Sequence, residues 1–288
     1  MYAITTITGR IGGLVARNLL ASKQSVRAVV RDVNKGADWA KLGCEVAVAD
    51  LRDAASLTSA FCGAKGVFIL LPPVFDPQPG FPESRAIIAG VQSALAAARP
   101  PKVVCLSTIG AQARQSNLLS QLSLLEQALN EVPSIAFLRP GWFMENSAWD
   151  VAAAMNGGVI PSFLHPLDKQ FPMVSAVDVA GIAAELLQRN WSRRHIVELE
   201  GPRRLSPNDI AATFSRILNR PVRMEVVPRE TWGSLFRSQG MKNPTPRMQM
   251  LDGFNEGWID FEGGETNSVK GKVELETVLK DLVEAARA

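Results

Sequence analysis

Residues 1–21 read MYAITTITGRIGGLVARNLLA, and this stretch decides the fold. A short β-prone run over residues 2–7 leads into a turn that contains Gly9, Gly12 and Gly13. An amphipathic helix is predicted to follow over residues 11–22. A glycine turn between a strand and a helix lets backbone N–H groups approach a phosphate, and the positive end of the helix attracts it further. The stretch therefore predicts a dinucleotide-binding turn rather than a purely structural one.

The glycine turn departs from the common dinucleotide-binding pattern at its first position. Thr6 stands where a glycine is expected, whereas Gly9 and Gly12 keep their spacing. Because a β-branched residue disfavours positive φ, we expect Thr6 to avoid it. The turn should then differ slightly in shape or bind its cofactor more weakly. The residues predicted to contact the cofactor here are Thr6, Thr8, Gly9, Arg10, Ile11 and Gly12.

Strand-like and helix-like segments alternate through the first half of the chain. The strand segments are short and apolar, as in strands that are buried on both faces of a parallel sheet. They are predicted at residues 2–7, 25–30, 44–48, 66–71, 102–106 and 134–138. Helices are predicted at 11–22, 34–41, 53–62, 83–98 and 118–131, with Asp53 as an N-cap. This alternation predicts an α/β fold with a Rossmann-like, doubly wound parallel sheet.

The pattern changes after about residue 140, where the segments between strands lengthen. We expect residues 1–150 to form the dinucleotide-binding domain and residues 151–288 a smaller α+β lobe that caps it or binds substrate. A helix over 174–189 is predicted to pack on the first domain. Strands at 194–199 and 222–227 flank a helix at 206–218, which has Ser206 as N-cap and Pro207 at its first position. The Met- and aromatic-rich segment 241–264 fits a core or an oligomer face better than a substrate cleft.

Composition narrows the class of protein. The 288 residues are 47% hydrophobic and carry a net charge of +3, with both signs interspersed. No extended basic face is evident, so we expect no direct nucleic-acid contact. Three scattered cysteines indicate reduced thiols and a cytoplasmic location. The two histidines lack ligand-like spacing, and no apolar run approaches the ~18 residues of a membrane span, so neither a metal site nor a membrane protein is expected.

The residues that follow the next strands favour one cofactor. Arg31 comes directly after the second strand, where a cation accommodates the 2′-phosphate of NADP and an acid would bind the ribose hydroxyl of NAD. Asp32 follows it, and the alternative is a surface ion pair. Asp50 ends the third strand and either faces the adenine or caps the next helix. Leu51, Leu71 and Pro72 are the other residues predicted to contact NADP(H).

One residue type restricts the reaction. Tyr2 is the only tyrosine and lies in the first strand. The chain therefore cannot hold the mid-chain Tyr-x-x-x-Lys pair of common short-chain dehydrogenases. The reduction of a ketone or the epimerisation of a sugar needs such an acid–base group far more than the reduction of a quinone or an azo compound does.

Several motifs together resemble the NmrA-like family of atypical short-chain dehydrogenases. They are Thr8–Gly13, Val30–Asp32, Ala49–Leu51, Ser107–Ala111, Phe171–Ala180 and, most specifically, the run Leu-Arg-Pro-Gly-Trp-Phe-Met-Glu-Asn at 138–146. The resemblance covers nearly the whole chain and is nearest to bacterial NADPH-dependent quinone, triphenylmethane and azo-dye reductases. Enzymatic members often carry Lys or His four residues before the glutamate that matches Glu126. Here that position is Leu122, which lies on an apolar helical stripe.

The resemblance implies an oxidoreductase that transfers hydride from NADPH to a flat aromatic acceptor by proximity. Phe75, Trp142 and Phe143 are predicted to line the substrate pocket. Weak candidates for catalysis are Ser107, which is also predicted to contact the cofactor, Thr108 and Asn146. The alternatives are a non-catalytic NADP(H) sensor that binds a protein partner, and an enzyme of one biosynthetic ketone or imine. A homodimer is compatible with all three.

Overall fold

The computed structural model describes residues 1–287. The strands are β1 (Tyr2–Ile4), β2 (Val26–Val30), β3 (Glu45–Val48), β4 (Gly66–Leu70), β5 (Val103–Leu106), β6 (Ile135–Pro140), β7 (Trp142–Phe143), β8 (Val159–Ser162), β9 (Met173–Val174), β10 (His195–Glu200), β11 (Arg223–Val226) and β12 (Val269–Lys270). The helices are α1 (Arg10–Ala21), α2 (Ala37–Lys41), α3 (Ala54–Phe61), α4 (Pro82–Ala98), α5 (Ser120–Leu129), α6 (Val151–Asn156), α7 (Ala176–Gln188), α8 (Pro207–Leu218), α9 (Trp232–Ser238), α10 (Thr245–Glu256) and α11 (Leu275–Arg287).

The main sheet has eight strands in the order β3-β2-β1-β4-β5-β6-β10-β12. Parallel pairing joins β1 to both β2 and β4, and β5 to both β4 and β6. Helices connect successive parallel strands, as right-handed crossovers require. The predicted α/β, Rossmann-like doubly wound fold is confirmed. The strand order reverses direction between β1 and β4, which is where such sheets bind ligands.

The chain divides into two compact units. The first unit comprises Met1–Ala111, Leu119–Arg139 and Val179–Val197. Its core lies on the sheet and includes the fully buried rings of Phe61, Phe68 and Phe137. The inner strands β1, β4, β5 and β6 are buried on both faces, which explains their continuous apolar sequence, whereas the edge strand β3 is partly exposed.

The second unit comprises Gln112–Leu118, Pro140–Asp178 and Glu198–Ala288. It holds two small parallel pairs, β8 with β11 and β7 with β9. The predicted Ser206 cap is confirmed, and Asp209 completes it as a capping box. The helix predicted from residue 174 begins instead at Ala176, because Met173 and Val174 form β9.

Two further bounds differ from the prediction. The first strand ends at Ile4 rather than at residue 7, because residues 5–8 already form the turn. The segment predicted as one helix over 34–41 is a 3-10 turn, Val33–Gly36, followed by α2. Within residues 1–287, no helix is both long enough and apolar enough to cross a bilayer.

Candidate functional site

The turn between β1 and α1 presents unsatisfied backbone donors. Gly9 is the N-cap of α1 and has an extended backbone, so it offers no side chain to accept from the first N–H groups. The first turn of α1 contains no acidic residue either. Thr8, Gly9 and Arg10 are exposed. A phosphate placed there would accept from these N–H groups and meet the positive end of the helix, so the turn fits a dinucleotide.

Gly12 makes the turn this tight. A Cβ on Gly12 would lie 2.5 Å from the carbonyl oxygen of Thr6 and 2.9 Å from that of Thr5. Both neighbours are backbone atoms that cannot rotate away. The helix therefore packs directly against the backbone of Thr5 and Thr6 in the turn, and only glycine permits this contact.

The prediction for the Thr6 backbone is wrong. Thr6 adopts φ +49°, in the left-handed region that a β-branched residue normally avoids. Two hydrogen bonds hold it there: Gly9 N donates to Thr6 O at 2.9 Å, and Thr6 Oγ1 donates to Thr5 O at 2.7 Å. Residues held in this region cost about 1–3 kcal/mol and cluster at ligand sites. The turn thus keeps the glycine-like conformation without the glycine.

The Thr5 side chain forms hydrogen bonds to β4 at the point where the strand order reverses. Its Oγ1 donates to the carbonyl of Phe68 at 2.9 Å and accepts from the Leu70 amide at 3.2 Å. The bonds link the end of β1 to β4, immediately before the buried Leu71 and the half-buried Pro72. Sequence reasoning missed Thr5, although its position at the end of the first strand is a usable signal.

Arg31 and Asp32 follow β2 and differ in their hydrogen bonding. Asp32 caps the next 3-10 turn by accepting from the Asn34 amide at 3.0 Å. Arg31 is exposed and forms no hydrogen bond or ion pair with residues 1–287. The Arg31 guanidinium is therefore available to a ligand.

Asp50 does not cap α3, because Asp53 does so through the Ala55 amide. Its carboxylate is held by the side chain and the backbone N–H of Arg52, which lower the pKa of Asp50 to about 2. Arg31 adds a smaller Coulombic effect in the same direction. An ionised acceptor therefore lies near the Arg31 charge, and Leu51 beside it is buried.

A buried ionic network lies behind the end of β5. Ser107 Oγ donates to Glu126 Oε1 at 2.5 Å. Arg139 grips the same carboxylate in a bidentate pair, from Nε to Oε1 at 2.8 Å and from Nη2 to Oε2 at 2.7 Å. Because the Ser107 hydroxyl donates its hydrogen to the Glu126 carboxylate, which is paired with Arg139, only the lone pairs of Ser107 Oγ remain for a ligand. Neither Glu126 nor Arg139 was among the predicted site residues.

The other polar candidates have no such support. Thr108 and Asn146 are half-buried, and within the described chain neither side chain forms a hydrogen bond. Both can thus bind a ligand or water. Leu122 packs against the apolar core of the first unit, as its helical stripe predicts.

The predicted substrate residues divide between the two units. Phe75 belongs to the first unit and is 57% exposed. Trp142 and Phe143 belong to the second unit and are half-buried. The Trp142 ring meets Phe254 edge-on at 5.2 Å between centroids, which fixes the orientation of the indole.

Comparison with known proteins extends these observations. The family model described as "NmrA-like family" matches residues 2–260. The chain belongs to this NmrA-like family. It is 27% identical to the NAD(P)H azoreductase of Xenophilus azovorans over 259 residues, covering 89% of this chain and 85% of that protein.

Solved structures show the same fold. The NADPH-dependent quinone oxidoreductase of Escherichia coli complexed with NADPH superposes with a TM-score of 0.83 at 22% identity, covering 98% of this chain and 99% of that chain. The Citrobacter sp. triphenylmethane reductase complexed with NADP(H) gives 0.78 at 21% identity, with 99% of each chain covered. The family match over residues 2–260 confirms the resemblance inferred from the motifs.

The most specific motif of this NmrA-like chain, residues 138–146, has a structural reason at several positions. Gly141 allows close approach, since a Cβ there would lie 2.4 Å from the carbonyl oxygen of Pro172. Glu145 Oε1 accepts from the amide of Ala176 at 2.9 Å and from Ser175 Oγ at 3.1 Å, at the start of α7. A carboxylate at a helix N-terminus is favoured by the helix dipole.

Proposed function

We propose that this protein is an NADPH-dependent oxidoreductase that reduces flat aromatic acceptors such as quinones and azo compounds. The observation that carries the proposal is the uncapped helix N-terminus beside Gly9 and Gly12 at the reversal of strand order. The names of the similar proteins, an azoreductase and a quinone oxidoreductase, support the same chemistry.

The cofactor-binding residues follow from the geometry of the first unit. The N–H groups at the start of α1, with Arg10, would hold the pyrophosphate. Arg31 would pair with the 2′-phosphate, since it is exposed and uncommitted while Asp32 caps its own turn. Asp50, Leu51, Leu71 and Pro72 are proposed to contact the remainder of NADP(H). When bound, the nicotinamide supplies the hydride.

Ser107 is proposed to orient the nicotinamide and not to protonate the substrate. Because its proton is directed to Glu126, it can accept a hydrogen bond from an N–H donor such as the nicotinamide carboxamide. Glu126 and Arg139 act as positioning residues that fix this polarity. One hydride and one proton convert an azo bond to a hydrazo bond or a quinone to a hydroquinone. With neither tyrosine nor Lys at the usual positions, water supplies that proton.

Phe75, Trp142 and Phe143 are proposed to contact the acceptor ring, with Thr108 and Asn146 as polar contacts. Residues 1–150, with the helix at 174–189, are proposed as the NADP-binding domain and residues 151–288 as the substrate lobe. The free thiols of Cys44, Cys62 and Cys105 favour a reducing, cytoplasmic compartment. A homodimer is open to test by light scattering.

The test of this function is NADPH oxidation, followed by its near-ultraviolet absorbance, with panels of quinones and azo dyes. We expect turnover above the protein-free rate. Tight NADPH binding without turnover on any acceptor would refute the enzyme and favour the NADP(H) sensor. A profile restricted to one ketone or imine would favour the biosynthetic alternative.

The cofactor preference has its own test. Arg31→Glu should invert a preference for NADPH over NADH, because the substituted carboxylate repels the 2′-phosphate and can accept from a ribose hydroxyl. Arg223→Met is the matched control, since Arg223 is exposed and paired with Glu225 on β11. Equal affinity of the unmodified protein for both cofactors would refute the role of Arg31.

A further inference from the structure

Among residues 1–287, Arg247 of the second unit is a guanidinium that has no anionic partner. It is the third residue of α10 and is half-buried. Its only hydrogen bond within the described chain is a weak one, from Nη1 to Met241 Sδ at 3.7 Å. Burial lowers the pKa of Arg247, and no carboxylate compensates. A partly desolvated guanidinium is costly unless an anion pairs with it.

Two aromatic rings hold this guanidinium in place. Its Cζ lies 4.3 Å from the centroid of Phe236, which is fully buried, and 5.9 Å from that of Trp149. Stacking contacts engage the face of a guanidinium, so apart from the weak bond of Nη1 to Met241 the N–H edge of Arg247 remains available. The planar edge matches the oxygens of a carboxylate or sulfonate. The Trp149 indole is 65% exposed beside it, so an aromatic ring can lie against the same site.

The same face of α10 leads to the proposed acceptor contact. Phe254 follows Arg247 by seven residues, which is close to two helical turns and about 10 Å along the axis. Phe254 is the residue that packs against Trp142. The distance is comparable to the length of an azobenzene.

We propose that Arg247, with Trp149, binds an acidic substituent of the aromatic acceptor, so that the preferred substrates are carboxylated or sulfonated aromatic compounds. This inference rests on the proposed reductase function for the identity of the ligand. The anion site itself consists of residues of one unit and binds its ligand whether or not hydride is transferred.

The test compares methyl orange, a sulfonated azobenzene, with methyl yellow, which has the same dye core without the sulfonate. Binding is measured by calorimetry with NADP⁺ present, so that no turnover occurs. Arg247→Met should weaken methyl orange binding roughly ten- to hundredfold, as expected for loss of a charge-assisted hydrogen bond. Arg247→Lys should restore part of it, because the charge returns without the planar edge. Arg223→Met is the control for loss of a surface arginine.

Salt provides a second measurement that needs no variant. Affinity for methyl orange should fall with ionic strength, whereas affinity for methyl yellow should not. Equal losses for both dyes in Arg247→Met would show that the arginine only packs, and would overturn the proposal. So would the absence of methyl orange binding in the unmodified protein. Sulfonate-selective binding without NADPH oxidation would instead refute the reductase function and leave the anion site standing.

Discussion

Gly12→Ala tests the account of the glycine turn. The added Cβ would lie 2.5 Å from the Thr6 carbonyl oxygen, 2.8 Å from the Thr6 carbonyl carbon and 2.9 Å from the Thr5 carbonyl oxygen. Real Cβ atoms essentially never approach closer than 3.0 Å, so α1 and the Thr5–Thr6 backbone must move apart by about 0.5 Å. None of these atoms belongs to a side chain that could rotate away.

The expected cost follows from this displacement. Overpacking of this kind destabilises by about 1–3 kcal/mol, and the higher helix propensity of alanine returns up to ~1 kcal/mol. We expect the free energy of unfolding to fall by about 1–2 kcal/mol, with a fall in Tm of about 2–4 °C for each kcal/mol. Displacing the first N–H groups of α1 should also lower the affinity for NADPH.

Gly181→Ala is the matched control. Gly181 is also a helical glycine of the first unit, in α7, but a Cβ there would meet nothing within 4 Å. The free energy of unfolding of that variant should rise by about 0.5–1 kcal/mol from helix propensity alone, and its affinity for NADPH should be unchanged. Urea and thermal unfolding of both variants measure the difference. If Gly12→Ala is as stable as Gly181→Ala, the close packing deduced for the turn is refuted.

Three more predictions concern stability. At φ +49°, Thr6→Gly should be more stable than Thr6→Ala by about 0.5–1 kcal/mol in urea unfolding, and the reverse order would exclude the left-handed conformation. Glu126→Gln should lower the free energy of unfolding by about 3–5 kcal/mol, because it leaves the buried Arg139 charge without its ion pair. The control Glu45→Gln, at an exposed ion pair, should lower it by under ~1 kcal/mol, and equal losses would contradict the buried network. Burial raises the pKa of Asp150 to about 7, so the folded protein holds this proton more tightly than the unfolded chain and the free energy of unfolding should fall as pH rises from about 4 to about 7. Asp150→Asn should flatten that slope in unfolding curves measured across this range, and an unchanged slope would assign it to other groups.

The sheet could be predicted from sequence because its signals are local. Strands buried on both faces are short apolar runs, and β2 and β4 lie within one residue of the predicted bounds. Asp53 and Ser206 mark their helix starts through bonds to the next residues of the same turn. Each of these features needs only a few neighbouring residues, so periodicity and capping rules suffice.

The second unit was harder to predict because its elements depend on distant contacts. β7 and β9 contain two residues each and exist through pairing with one another. α9, α10 and α11 were not predicted individually, and α10 is held at its start by a bond from the Leu118 amide to the carbonyl of Pro246. Runs as short as β7 and β9, and a helix such as α10 with only a weak apolar stripe, carry little local pattern from which to deduce them. In α11, by contrast, Leu275, Val278, Leu279 and Val283 recur at helical spacing and are buried, so its sequence held a signal that periodicity could have used.

At the candidate site, sequence identified residue types but not the direction of their hydrogen bonds. Ser107 was predicted as a polar contact at the end of a strand, yet whether it donates or accepts depends on Glu126, nineteen residues later, and on Arg139 beyond it. A serine with no carboxylate behind it could donate to a substrate oxygen. Here the Ser107 hydroxyl donates instead to Glu126, and Leu122 packs on the apolar core. After β5 the Ser107 hydroxyl can therefore accept a hydrogen bond from a ligand but cannot act as an acid toward it. The proposed reduction of quinones and azo compounds, which can take their proton from water, agrees with this arrangement better than the reduction of ketones does.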